Sequence, residues 1–163
     1  MVAANVLNRA AQLGIGTGIH SMTPIAAVTW GAESGKLVIP ERSPFSYLAN
    51  KKVSGVCLAV AVIEIVADKL PILPSRSSLL PLTSRMLLGG LSGGAVAAAD
   101  EQPAALGIAI GAIAAAWCSY AATTGRTQLT DMGVPNAVVG LVEDLLAVSL
   151  ALAAVLKQES TVA

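Results

Sequence analysis

A run of 23 residues without a charged side chain, Pro103 to Gly125, constrains the fold more than any other feature of this sequence. A helix of about 20 apolar residues is long enough to cross the hydrocarbon core of a bilayer. The chain as a whole is also apolar. Of its 163 residues, 55% are hydrophobic and 12% are charged, and the mean hydropathy is +0.72. Soluble domains carry roughly 25% charged residues. The sequence therefore predicts an integral membrane protein, with a soluble, alanine-rich helical bundle as the alternative.

Five apolar segments lie between the clusters of charged residues. All five are predicted to be helical, because a coil or an open strand in lipid leaves backbone groups without hydrogen bonds. No segment alternates polar and apolar residues as a barrel strand would. We therefore predict an all-α, polytopic membrane helical bundle, one integral membrane domain over residues 1–163. Its predicted spans are roughly 10–30, 53–70, 79–99, 103–125 and 133–156.

Small residues at a spacing of four line one face of three segments. They are Ala10, Gly14 and Gly18 in the first, Gly89, Gly93 and Ala97 in the third, and Gly107, Gly111, Ala115 and Ser119 in the fourth. Such faces let membrane helices approach closely, so a compact bundle is predicted. The lipid bilayer is the expected partner and nucleic acid is not. Whether some of these faces also bind a second copy, in a homo-oligomer, stays open.

Two pairs of segments share a pattern that indicates an internal repeat. "LGIGTG" at residues 13–18 recurs as "LGIAIG" at residues 106–111, and each is followed, one segment later, by a helix with an internal glutamate, Glu64 or Glu143. Because a single segment lies between the pairs, the second pair would enter the membrane from the opposite side. This predicts an inverted repeat that relates segments one and two to segments four and five. Chance similarity between Gly/Ala-rich helices is the alternative.

The basic residues leave the orientation in the membrane open. Five spans would place Arg9, Lys69, Arg76, Arg85 and Arg126 on one face and Lys36, Arg42, Lys51, Lys52 and Lys157 on the other. Cytoplasmic loops normally carry the excess of Lys and Arg. An even division gives no preference for either face.

Two adjacent carboxylates, Glu143 and Asp144, lie in the middle of the fifth segment. Each carboxylate near the bilayer centre costs about 2.5–3.5 kcal/mol, so this helix needs partners or water for its acids. With a rise of about 1.5 Å per residue, Glu143 and Glu64 both fall near mid-membrane. Arg85 lies about one and a half turns into the third segment. We therefore predict a polar crevice that ends at the two glutamates.

Two interpretations of this crevice remain open. In the functional one, Glu64 and Glu143 bind a cation or carry protons while Arg85 compensates their charge. In the structural one, the charged residues form fixed ion pairs, and Asp68 and Asp144 fit that role better than the glutamates do. Ionisable residues inside a membrane more often mark a functional site. The predicted substrate, ion or proton site comprises Glu64, Glu143, Asp68, Asp144, Arg85, Lys69, Arg76 and His20.

His20, the only histidine, lies close to Thr23 and Pro24. A proline removes a helical hydrogen bond, so the first segment is expected to break here, and broken helices often mark binding sites in transporters. Cys57 and Cys118 lie inside apolar segments without the spacing of a metal site. No catalytic residues, metal site or cofactor are predicted, and the chain is not expected to be an enzyme.

Four stretches of the sequence resemble successive motifs of a bacterial family of small membrane proteins catalogued as domain of unknown function 4126. They are "GIGTGIHSMTPIA", "EIVADKLPILPSRSS", "RMLLGGLSGGA" and "GLVEDLLAVSLAL", and the most specific block runs from Ala67 to Arg76. The resemblance implies the membrane fold and a location in the bacterial cytoplasmic (inner) membrane, and it carries no activity. Arginine is common in that family where this chain has His20, which implies that a polar or positive group suffices there.

We therefore expect a small integral membrane transporter or channel for an ion or small solute, with proton coupling through the mid-membrane carboxylates as one form of it. The alternative is a non-transporting structural or assembly protein of the membrane. Access of water to the acids discriminates between the two. An enzyme acting on a lipid-soluble substrate is disfavoured, because the chain offers no nucleophile with an adjacent base and no metal cluster.

Overall fold

The structure, a computed structural model, describes residues 2–67 and 79–157, and all regular structure within these ranges is helical. The six α-helices are α1 (Val2–Ile19), α2 (Thr23–Glu33), α3 (Lys51–Ala67), α4 (Leu79–Ala99), α5 (Ala104–Asp131) and α6 (Asn136–Leu156), and a short 3-10 helix covers Ser46–Ala49. The all-helical fold class predicted from the sequence is confirmed for this part of the chain.

Proline and glycine set several of the helix ends. α2 carries Pro24 in its first turn, and α5 and α6 begin directly after Pro103 and Pro135. Proline suits the start of a helix, because the first amides have no partner within the helix. After α5 the chain turns at Gly133, whose φ of 91° glycine adopts without strain. These boundaries therefore follow from the local sequence.

α1 and α2 form a hairpin that reverses at residues 20–22. Near the middle of α1, Arg9 Nε donates a hydrogen bond of 2.6 Å to the carbonyl oxygen of Ala154, close to the end of α6. Near the end of α2, Gly31 packs against Val155 of the same helix. Both arms of the hairpin therefore extend to the C-terminal end of α6, and α2 runs back alongside α1.

The sequence predicted one span over residues 10–30, and the structure has two antiparallel helices there. The predicted break near Pro24 is confirmed, but the chain reverses at the break instead of continuing across the bundle. Gly16 packs against Pro24 on the returning helix, and its lack of a side chain allows this close approach. A proline can interrupt a helix, but the direction after the interruption depends on which surfaces are available for packing.

The reversal places both ends of the described chain at the same end of the bundle. We call this the Arg9 end, because Arg9 lies there beside the last turn of α6, which Lys157 follows. The opposite one is the Arg126 end, where α5 turns into α6. The predicted even division of basic residues put Arg9 and Lys157 on opposite faces, so that division is wrong.

The reversal also bears on the predicted repeat. Gly14 of α1 packs against Gly111 of α5, and Gly18 packs against Cys118. Residue numbers therefore increase in the same direction along the two helices. The helices that carry "LGIGTG" and "LGIAIG" are therefore parallel. An inverted repeat requires the two to be antiparallel, and it is not confirmed.

The predicted small-residue faces pack against one another within the chain. A Cβ atom added at Gly93 of α4 would overlap the carbonyl oxygen of Gly107 on α5, and one added at Gly14 of α1 would overlap that of Gly111. The backbones of α1, α4 and α5 therefore touch directly, as small residues allow in membrane helices. We call these three helices the closed side of the bundle.

Two of the described helices, α5 and α6, are long and apolar enough to cross a membrane. Only 28% and 33% of their apolar windows are buried inside the chain. Large apolar side chains face outwards on both, including Trp117 at 73% and Leu145 at 61% exposure. A core helix of a soluble protein would be mostly buried, so these two helices present apolar faces of the kind that contact lipid or another protein surface. They correspond to the fourth and fifth predicted spans.

Candidate functional site

The reversal between α1 and α2 leaves two helix ends inside the bundle. The last carbonyl groups of α1 and the first amide groups of α2 have no partners within their own helices. Buried backbone groups need hydrogen bonds, and at membrane depth only protein or trapped water supplies them. The side chains that satisfy these ends are the most conspicuous polar group in the described part of the chain.

Glu64 of α3 binds the N-terminal end of α2. Its Oε1 accepts a hydrogen bond of 2.8 Å from the amide of Ser21, and its Oε2 accepts one of 2.7 Å from the amide of Met22. The hydroxyl of Ser21 donates to the same carboxylate. The positive end of the helix dipole favours a carboxylate at this position. The Glu64 carboxylate thus occupies the position at the N-terminal end of α2 where an external anion would bind.

Arg85 of α4 binds the C-terminal end of α1. Its Nη1 donates to the carbonyl oxygens of Gly18 and Ile19, at 3.0 Å for Ile19. The negative end of the helix dipole favours a cation here. Nη2 of Arg85 lies 4.0 Å from Oε1 of Glu64, so the two charges compensate each other as well as the helix ends. Removing either one would leave the other buried beside a helix end.

His20 links the turn to α6. Its Nε2 lies 2.7 Å from Oδ1 of Asp144, and the histidine side chain is 1% exposed while that of the aspartate is 16% exposed. Four elements therefore meet at one point, namely the turn itself, α3, α4 and α6. We call this group the turn cluster, consisting of His20, Ser21, Glu64, Arg85 and Asp144.

The turn cluster lies well inside the bundle. A rise of about 1.5 Å per residue puts Asp144 about 12 Å from the first residue of α6 and about 18 Å from the last. Cys118, which packs beside Gly18, lies about 20 Å from either end of α5. In a bilayer with a core of about 30 Å, these distances correspond to the interior.

Glu143 does not join the turn cluster. Its Oε2 lies 3.0 Å from Nη2 of Arg126 on α5, with the side chains 12% and 23% exposed. Successive residues on a helix point about 100° apart, so Glu143 and Asp144 cannot both face the turn. The sequence placed the two glutamates together at the end of one crevice. In the structure Asp144 lies beside the turn, and Glu143 pairs with the neighbouring helix.

Of the eight predicted site residues, the structure brings together Glu64, Arg85, Asp144 and His20. Asp68, Lys69 and Arg76 lie outside the described residues. Within the ranges 2–67 and 79–157, no group of three or more His, Cys, Asp or Glu side chains is arranged to hold a metal ion.

Sequence reasoning missed two residues that contact predicted site residues, Ser21 and Arg126. Ser21 donates to Glu64 through both its amide and its hydroxyl, and this partner could not be predicted, because Glu64 is 43 residues away in the sequence. Arg126 ends the long uncharged run, but its partner could not be predicted, because pairing with Glu143 depends on how α5 and α6 pack.

A further ion pair occurs at the Arg9 end. Arg9, whose side chain is fully buried, bonds to Asp100 at the end of α4. Nearby, the exposed Arg42 lies 3.2 Å from Glu101. Both pairs lie at the Arg9 end, whereas the turn cluster lies deeper in the bundle.

Residues 9–157 match the family described as domain of unknown function, DUF4126. The chain belongs to this family. The match covers all five predicted spans and every predicted site residue. It confirms the resemblance drawn from the sequence. No curated protein and no solved structure matches the chain.

Proposed function

We propose that this DUF4126 chain is a small integral membrane transporter or channel for an ion or small solute, with the turn cluster as its site. The proposal places α3 to α6 across the bacterial cytoplasmic membrane, as the sequence resemblance implies. The α1–α2 hairpin enters the bundle from the Arg9 end and reverses inside it. Four crossings and one re-entrant hairpin thus replace the five spans expected from the sequence, and the inverted repeat is not part of the proposal.

The turn cluster is the observation that supports this function. Transporters often place substrate sites where helices are interrupted near mid-membrane, because the free helix ends attract ions. Here the interruption at residues 20–22 exposes one helix end of each polarity, and charged side chains of α3 and α4 occupy them. A protein that needed only a stable bundle could satisfy the same backbone groups with a continuous helix.

The contacts suggest how the site would work. Glu64 holds three donors of the turn, so a proton or a cation on this carboxylate would weaken its hold on Ser21 and Met22. Arg85 would then lose its compensating charge and favour an anion or a second carboxylate. The hairpin tip would therefore have two arrangements, one with Glu64 bound and one with it released. Such a pair of states is what ion-coupled transport requires.

The alternative function is structural or assembly-related, and one observation favours it. Glu143 forms an ion pair with Arg126, and Arg9 forms one with Asp100. The two charges in each pair neutralise each other. Fixed pairs of this kind would hold an otherwise apolar bundle in register without any transported solute. The lipid bilayer is the partner in either case, and a homo-oligomer stays a prediction.

Access of water to the turn distinguishes the two functions. In a protein whose Cys57 and Cys118 are replaced by serine, Ser21→Cys introduces one thiol at the turn with little change in volume. We expect a membrane-impermeant thiol reagent to label it in sealed vesicles from one side. Ile113→Cys is the control, because Ile113 of α5 is 66% exposed on a face that would contact lipid and should stay unlabelled.

Flux measurements then test the role of Glu64. The purified protein in liposomes should conduct at least one of protons, alkali cations or small anions, and Glu64→Gln should reduce that flux strongly. Glu101→Gln, at an exposed residue of the Arg9 end, should leave it unchanged. A Ser21→Cys thiol protected from both sides, together with no flux for any of these ions, would favour the structural function instead.

A further inference from the structure

A groove between α2, α3 and α6 is separate from the polar contacts of the turn cluster. Its volume is about 520 Å³, within the range of small-molecule binding sites. The lining is almost entirely apolar, with Ala61 and Val62 from α3 and Leu152 from α6 among its walls. Thr23 and Trp30 of α2 mark its two ends, about 10 Å apart along the helix.

The groove opens on a surface that would face lipid. Val62 is 61% exposed and Leu152 is 36% exposed, and both also line the groove. Val66, one turn further along α3, is 62% exposed. A ligand would therefore enter sideways from the hydrocarbon of the membrane and not from water, which restricts the ligand to lipophilic compounds.

Thr23 is the polar exception in the lining. The residue is 8% exposed, and its hydroxyl oxygen is buried without a hydrogen-bond partner among the described residues. A threonine inside a helix can bond its hydroxyl to the carbonyl four residues earlier. For Thr23 that carbonyl belongs to Ile19, which accepts from Arg85 on the far side of the reversal. The reversal thus leaves a hydroxyl at the inner end of an apolar groove.

We propose that this groove binds an uncharged, single-chain lipophile with one hydrogen-bonding end, such as a medium-chain alcohol or ketone. The chain would lie along α2 towards Trp30, and its hydroxyl or carbonyl group would bond to Thr23. The polar end is uncharged, because the hydroxyl cannot neutralise a charge and the Glu64 carboxylate, bound to the adjacent Met22 amide, repels an anion. This site goes beyond the proposed transport function and rests only on the membrane location within it.

Tryptophan fluorescence can report on the groove selectively. The chain has two tryptophans, and Trp117 lies on the outer face of α5. Trp117→Phe therefore leaves Trp30 as the only tryptophan, at the end of the groove opposite Thr23. The probe is a medium-chain alcohol with bromine on its terminal carbon, added to the protein in phosphatidylcholine bilayers. We expect saturable quenching of Trp30 that the unbrominated alcohol reverses.

Two variants test the geometry. Thr23→Val keeps the shape but removes the hydroxyl, and it should weaken binding of the alcohol about three- to tenfold, the value of one hydrogen bond. The corresponding brominated alkane should bind both proteins alike. Ala61→Leu fills the groove and should abolish saturable quenching by either compound. Circular dichroism of each variant checks that the helices persist.

Three outcomes would overturn the proposal. Linear quenching that is equal for Trp30 and, in a Trp30→Phe protein, for Trp117 would indicate partition into the bilayer only. Tighter binding of a medium-chain carboxylate that Lys36→Ala weakens would place a charged head at the outer end, where Lys36 Nζ lies 5.8 Å from the Trp30 ring. A change of oligomeric state in Ala61→Leu would indicate that a second copy fills the groove.

The membrane location is tested separately. Brominated phospholipids should quench Trp117 whether or not the groove binds a ligand. Absence of that quenching would contradict the membrane location itself, whereas normal quenching of Trp117 without saturable quenching of Trp30 would contradict the lipophile site alone.

Discussion

The two sides of the bundle are built on opposite principles. On the closed side, α1, α4 and α5 touch through backbone atoms at glycines such as Gly93 and Gly107. We call α2, α3 and α6 the open side, because a groove of about 520 Å³ separates larger apolar side chains there. The turn cluster lies between the two sides, since Arg85 comes from one and Glu64 and Asp144 come from the other.

This difference in packing suggests that the two sides have different roles. Direct backbone contact leaves no side-chain rotamers that could adapt, so the closed side can hold the C-terminal end of α1 in a fixed position. The open side contains space and side chains that can move into it. Any rearrangement at the hairpin tip would therefore involve α2, α3 and α6, with α1, α4 and α5 as the fixed frame.

The largest expected change in stability comes from replacing Arg85, whose charge links the two sides. Arg85→Met leaves the end carbonyls of α1 and the Glu64 carboxylate without compensation, and it should lower the free energy of unfolding by about 3–5 kcal/mol. Arg42→Met is the matched control, because the Arg42–Glu101 pair is 82% and 68% exposed and contributes about 0–1 kcal/mol. Denaturation in detergent micelles measures both.

A double variant sharpens this prediction. If Glu64 and Arg85 compensate each other, Glu64→Gln should recover part of the stability lost in Arg85→Met, and the two effects should not add. Strict additivity would indicate that each side chain acts only on its own helix end.

A smaller effect is expected from the closed side. Gly93→Ala forces a methyl group against the carbonyl oxygen of Gly107, and overpacking of this kind costs about 1–3 kcal/mol. Gly125→Ala, on the same pair of helices, meets open space and should be neutral or raise stability by up to about 1 kcal/mol. The comparison is made by thermal unfolding in the same micelles. Equal stabilities for the two variants would show that the backbones of α4 and α5 do not touch.

The smallest effect is expected from the open side. Ala61→Leu extends into the groove, where room is available, and should change the unfolding free energy by less than about 1 kcal/mol. Ala115→Leu inserts the same atoms where Ala115 is fully buried near Gly18 and Gly89, and it should cost about 1–3 kcal/mol. A penalty for Ala61→Leu as large as that for Ala115→Leu would mean that the groove is closed in the native protein.

Much of the local structure could be read from the residues in order. The apolar runs indicated helices, Pro24 indicated a break in the first segment, and the glycine faces indicated close packing. The candidate set of acids and bases also contained the members of the turn cluster apart from Ser21. These features depend on neighbours within a few residues, which is the range over which sequence patterns act.

The direction of the chain after His20 is a different kind of property. Pro24 and its neighbours interrupt the helix in the sequence, but both a continued crossing and a reversal satisfy that local pattern. The reversal is stable because Glu64, Arg85 and Asp144, distant in sequence, satisfy the helix ends that it exposes. From this one choice follow the common end of Arg9 and Lys157, the parallel α1 and α5, and a Thr23 hydroxyl without a partner among the described residues. Local residues thus decided which segments are helical, whereas contacts between distant helices decided how those helices run and which polar groups meet.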